Sequence, residues 1–190
     1  MKLSLIAVAA TAVIAPTGAS AAAANPAAMH AFGHCAAERS PKDVTYLLDQ
    51  DYRTPGYNQA LKALAKSQAR CPGAATAAGG AVFAGILAEE LLEYGRTPKQ
   101  VAAVIGKAPK KPMRSNDVDP AALCLVRANP GGTAQLLSTG YGSKEEGAAF
   151  KALAPAFNAC LKGHKLNMGG TELRSFVALA AFRNFRAAGG

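Results

Sequence analysis

The sequence predicts an all-α protein made of two tandem copies of a roughly four-helix unit, each copy closed by one disulfide. Three observations predict it: an internal repeat that carries its cysteines with it, apolar residues at helical spacing, and helix starts marked by a capping residue followed by proline. Cys35, Pro41, Leu47-Leu48, Tyr52, Ala60, Lys62-Ala63-Leu64-Ala65 and Cys71 recur 89 positions later as Cys124, Pro130, Leu136-Leu137, Tyr141, Ala149, Lys151-Ala152-Leu153-Ala154 and Cys160. The alignment needs no gap, and 11 of its 37 positions are identical, both cysteines among them. A shared cysteine spacing with shared apolar positions is the mark of a duplication.

The chain opens like a secretory signal. Met1-Lys2 supplies charge, Leu3 to Ala15 an apolar run, Pro16 and Gly18 a break, and Ala19-Ser20-Ala21 the small residues a signal peptidase accepts. The run is shorter than the roughly 20 residues a permanent span requires. Residues 1–21 are therefore read as a removed signal, with cleavage after Ala21 or, in a second frame, after Ala23. That leaves 169 residues, 20 Lys and Arg against 12 Asp and Glu, and a net charge of +8. An exported chain matures in an oxidising compartment, so four cysteines read as two disulfides. Of three possible pairings, the duplication favours Cys35–Cys71 and Cys124–Cys160, because a single ancestral unit would already hold both partners.

The first unit is read as residues 25–95. Asn25-Pro26 starts a helix over Ala27 to Glu38, with Met29, Phe32 and Cys35 as its apolar stripe. Ser40-Pro41-Lys42-Asp43 restarts it, and Val44, Leu47 and Leu48 form the next apolar face. A third helix from Thr54-Pro55 carries Leu61, Leu64 and Gln68, and ends at Cys71. The fourth, rich in Val82, Phe83, Ile86, Leu87, Leu91 and Leu92, belongs at the centre of the bundle. The second unit, 119–186, repeats the order from Asp119-Pro120, Asn129-Pro130 and the capping box Ser143-Lys144-Glu145-Glu146. Pro155 falls inside its third helix and should kink it. Its fourth helix is offset by 90 and shows Leu173, Phe176, Val177, Ala180 and Phe182. The tail from Arg183 reads as fraying, with 187–190 outside the unit.

Residues 96–118 connect the units. Thr97 to Ile105 suits one short capped helix, and Gly106 to Arg114 has the glycine, prolines and like charge of a linker. Lys107, Lys110, Lys111 and Arg114 form the densest basic cluster, the candidate contact for an anionic envelope component. The cluster has no interleaved aromatics, so nothing points to nucleic acid.

Catalytic motifs are missing. Gly106-Lys107 lacks the earlier glycine and following hydroxyl of a phosphate loop, and no Gly-x-Ser-x-Gly elbow occurs. His30, His34 and Glu38 share one helical stripe and are the metal candidates, but Ala31 stands where a zincin glutamate would be, and Asp119, Leu123 and Arg127 replace the set in the second copy. The expectation is therefore no metal and no cofactor. Glu89, Glu90 and Glu93 read as a solvated helix face rather than a glycosidase pair.

The repeated Cys…Pro…Leu-Leu…Leu-Ala…Cys pattern, followed by Ile86-Leu87-Ala88-Glu89-Glu90-Leu91-Leu92-Glu93-Tyr94, resembles uncharacterised exported proteins of Gram-negative bacteria. The resemblance covers nearly all of the mature chain and implies a small cysteine-paired helical protein, with no activity to carry over. The second copy departs from it at Val177-Ala178-Leu179-Ala180, which has no glutamate. The expected function is a non-catalytic exported binding or structural protein of the periplasm or cell exterior, whose partner is an anionic envelope component or another envelope protein. The alternative is an enzyme with its site in a cleft between the copies. Polar residues of both copies converging in one pocket would favour the enzyme; an exposed apolar groove or a one-sided basic face would favour binding.

Overall fold

The computed structural model describes residues 25–74, 80–107, 119–163 and 168–189. The signal segment, its cleavage frames, Lys110, Lys111, Arg114 and His164 lie outside them. Among the described residues there are nine helices and no strand: α1 (Pro26–Arg39), α2 (Pro41–Leu48), α3 (Pro55–Ser67), α4 (Ala81–Glu93), α5 (Pro98–Ile105), α6 (Pro120–Ala128), α7 (Pro130–Leu137), α8 (Lys144–Leu161) and α9 (Gly170–Ala187). None of them is long and apolar enough to cross a membrane.

Helix starts follow local chemistry. Six of the nine begin at a proline, whose fixed φ suits the first turn and whose missing N–H would have had no helical partner there. The residue before usually accepts the next free amides: Asn25 from Ala27, Thr54 from Tyr57, Asp119 from Ala121 and Ala122, and Asn129 from Gly132. Thr97 and Gln100 close a reciprocal capping box on α5. Ser40 behaves differently. Its hydroxyl leaves the α2 amides uncapped and instead accepts a hydrogen bond from Gln68 Nε2 at 2.8 Å, tying α2 to the end of α3.

Two disulfides staple the third helix of each half back to its first. Cys35 of α1 pairs with Cys71 beyond α3, and Cys124 of α6 pairs with Cys160 of α8, each with Cα atoms 5.7 Å apart. α8 runs through Pro155 as one continuous helix. α9 departs from expectation: it stays helical to Ala187 instead of fraying from Arg183. Arg183 and Asn184 are buried there, and Arg186 pairs with Asp49 at 3.0 Å, which fastens the end of the chain to the first half.

α4 and α9 form the most extensive helix pair, and the buried apolar residues of both halves make one contiguous core around them. α1 and α2 cover α4, while α6 and α7 cover α9. The central crossing is close because Gly85 faces Ser175: a Cβ on Gly85 would lie 2.4 Å from the Ser175 Cα. Backbone stands there, and no flexible side chain can give way. Gly85→Ala is expected to destabilise the fold by about 1–3 kcal/mol through overpacking, measured by urea unfolding; no loss would mean the helices slide apart at no cost.

Candidate functional site

α4 brings three glutamates to the junction of the halves, and the structure corrects their reading as a solvated face. Glu89 is 2% exposed, the Glu90 side chain 14% exposed, and Glu93 is partly buried. They sit there because α4 packs on α9 with one face and on α1 with another, so little of its surface is left to water. Opposite them lies the α7–α8 turn, Ser138 to Gly142, whose tight course is helped by Gly142 at φ 69°.

Arg174 of α9 organises this junction. Its side chain is fully buried, and its guanidinium is saturated with acceptors. Nε and Nη2 donate to Glu89 Oε2 and Oε1 at 2.9 and 2.7 Å, a bidentate pair across the halves. Nη1 donates to Glu146 Oε1 at 2.9 Å and Thr139 Oγ1 at 3.1 Å, and Nη2 also reaches the Leu137 and Thr139 carbonyls at 2.6 and 2.7 Å. Burial works against its charge, but the carboxylates of Glu89 and Glu146 hold it more firmly protonated than a free arginine. Glu89 is pushed up from the carboxylate range by burial, against the pull of Arg174 and His30. Glu146 has a second task. The expected capping box at Ser143 is half made: Ser143 caps the Glu146 amide, while Glu146 Oε2 reaches past Ser143 to the Gly142 N–H at 2.7 Å.

Tyr141 lies between the two halves as a spacer. The Arg174 guanidinium stacks on its ring at 3.9 Å, and the His30 imidazole meets the ring edge-on at 4.2 Å. Its hydroxyl donates to Glu89 Oε2 at 3.2 Å; burial and that neighbouring carboxylate push the phenol up, so it stays protonated. The candidate metal residues are drawn elsewhere. Nδ1 of His30 and Nδ1 of His34 both turn to Glu90, at 2.7 and 3.1 Å, and His34 Nε2 meets Glu38 at 3.5 Å. The carboxylate of Glu90 thus clamps α1 onto α4. Among the described residues no group of three or more such side chains is placed to hold a metal ion.

Above this network is a cleft of about 760 Å³. The first half contributes Asn25, His30 and the three glutamates, and the second half the Leu137–Gly142 turn with Thr171. The lining includes no lysine or arginine among the described residues, on a chain whose formal net charge is +9. Glu93 is the one lining glutamate without a hydrogen-bond or ion-pair partner among the described residues. Burial first, then the charges of Glu89 and Glu90, push its carboxyl up to about 8. It therefore holds a proton at neutral pH.

Of the basic linker cluster, Lys107 is described and exposed. Sequence reasoning missed Arg174, Tyr141, Thr139 and Glu146 as site residues. A signal for Arg174 was present: it falls among the apolar residues Leu173, Phe176 and Val177, where the position 90 residues earlier is Ala84, and Glu89 likewise answers to Leu179. Two opposite charges, each answered by an apolar residue 90 positions away, are the signal for a pair between α4 and α9. Comparison with protein-family models, curated proteins and solved structures finds no match to the chain.

Proposed function

We propose that the chain is an exported, non-catalytic binding protein of the cell envelope, built from two copies of one four-helix unit, and that it holds a small organic cation in the cleft between them. The observation that carries this reading is the unpartnered acid of the cleft. Of its lining glutamates, Glu89 is paired with Arg174 and Glu90 with His30 and His34, while the Glu93 carboxyl has no cation partner among the described residues. An ammonium or guanidinium group bound beside Glu93 would favour its ionised form and complete the pairing. The other half offers a parallel: Arg183, which aligns with Glu93, donates to the Gln50 carbonyl at 3.2 Å in the α2–α3 turn. At the cleft the arginine's place falls to an acid, and a ligand would bring the positive charge.

Duplication is supported by the equal cysteine separations of 36, by α2 and α7 starting 89 residues apart, and by Gly85 meeting its own counterpart, Ser175, at the central crossing. Export is supported by the order of charge, apolar run and small residues at the start, and by both disulfides being closed. The resemblance to exported helical proteins of Gram-negative bacteria belongs to the same reading.

A catalytic reading rests on two observations, the polar residues of both halves that converge in the cleft and the neutral carboxylic acid of Glu93 among them. It lacks a coupled base or nucleophile, since the Glu93 carboxyl has no hydrogen-bond partner among the described residues. Binding is therefore the better account. Its test is a titration with agmatine, which carries a guanidinium and an ammonium. Saturable one-to-one binding is expected at low salt, weakening as salt rises, and Glu93→Gln should reduce it at least tenfold while circular dichroism stays helical. Equal binding by Glu93→Gln would take the cation out of this cleft.

A further inference from the structure

A second cavity, separate from the cleft, lies wholly within the second half. It measures about 240 Å³ and is enclosed by α6, α7, α8 and α9. Leu125, Leu153, Phe150, Phe157, Leu173 and Val177 form most of its wall, and Asn158 is the one lining residue with a polar side chain. Ala154, Asn158 and Gly170 are exposed and mark its mouth, between the middle of α8 and the start of α9. Water entering such a space would find few partners, whereas an apolar cavity of about 150 Å³ is already large enough to bind benzene.

The first half indicates what fits. In the register that aligns α4 with α9, Leu173 answers to Phe83 and Val177 to Leu87; in the cysteine register, Ala121 answers to Phe32. Phe32 and Phe83 are fully buried, with ring centroids 5.8 Å apart, and they fill the space between α1 and α4. The second half has smaller side chains at all three places and carries its rings on α8 instead, where Phe150 and Phe157 are walls rather than filling. We propose that this cavity is a binding site for a small uncharged molecule with one aromatic ring, which occupies the room that the Phe83 ring takes in the first half. Selection is by shape and by exclusion of charge: the wall has no ionisable side chain, so a charged group inside would be desolvated without a counter-ion.

The test uses toluene as probe and thermal unfolding of the oxidised, full-length protein as readout. Toluene at about ten times its Kd should raise Tm by about 3–6 °C, since a ligand of the native state stabilises by mass action. Leu173→Phe installs the residue of the first half. It should raise Tm in the absence of toluene and abolish the toluene response, while agmatine binding in the cleft stays unchanged. If Leu173→Phe does not fold, Val177→Leu serves the same purpose with a smaller gain. No Tm rise with toluene in the unmodified protein, or an undiminished rise in the filled variant, overturns the proposal.

Discussion

Arg174→Met is expected to lower the unfolding free energy by about 3–5 kcal/mol, one of the two largest effects of any change considered. The arginine is fully buried and neutralises two carboxylates at once, Glu89 of α4 and Glu146 of α8. Methionine keeps much of the volume but removes every donor, which leaves Glu89 enclosed and two turn carbonyls, Leu137 and Thr139, without their bonds. The loss should depend on pH. Glu89 has a folded pKa above its ordinary value. A carboxyl of that kind favours the fold below its unfolded pKa and loses the advantage as pH rises through the folded one. Without Arg174 that window widens, so the deficit seen in urea unfolding at pH 7 should shrink at pH 4. A second change, Glu89→Leu, copies the residue at Leu179 and should recover part of the deficit at pH 7. Recovery stays incomplete because Glu146 is still unpaired. A deficit under 1 kcal/mol, or one that grows at pH 4, would show that the network is a surface feature.

Opening either disulfide should cost about 4 kcal/mol, an upper figure for a loop of this length in the chain-entropy account. The loops are equal, each closing over a sequence separation of 36. The two bonds lie in different halves and share no partners, so their losses should add. Together they approach the total stability of an ordinary domain, about 5–15 kcal/mol, and full reduction should bring the protein close to unfolding at 37 °C. Comparing Cys35→Ala/Cys71→Ala and Cys124→Ala/Cys160→Ala with the four-alanine protein checks this. Peptide mapping that joined Cys35 to Cys124 would contradict both the pairing and the two-unit reading.

Helices, caps and disulfides were legible because their causes are local or repeated. Prolines after capping residues start α1, α3, α5, α6 and α7 where the sequence places them, and a repeated cysteine spacing points to the pairing. The site was not legible, because its residues meet through the packing of α4 on α9, and helical periodicity cannot say which helix faces which. Glu89 reads as solvent-facing on its own helix; only the arrival of Arg174 from 85 residues away makes it a core residue. His30 and His34 share a stripe as expected, yet the partner that takes both imidazoles, Glu90, lies on another helix. Arg183 shows the same limit at the chain's end, where charge and position suggested fraying and a tertiary contact to Gln50 holds the helix instead.

The central claim, that the cleft between the halves takes a cation beside Glu93, is tested most directly by counting protons. The Glu93 carboxyl, pushed up to about 8, is mostly protonated at pH 7, and a cation bound next to it favours the ionised form. Agmatine stays fully charged at that pH, so it contributes no proton of its own. Calorimetric titration at pH 7 in two buffers of different ionisation enthalpy should therefore report release of close to one proton per agmatine bound, and none in Glu93→Gln. Binding with no proton release, or the same release from the variant, would contradict it.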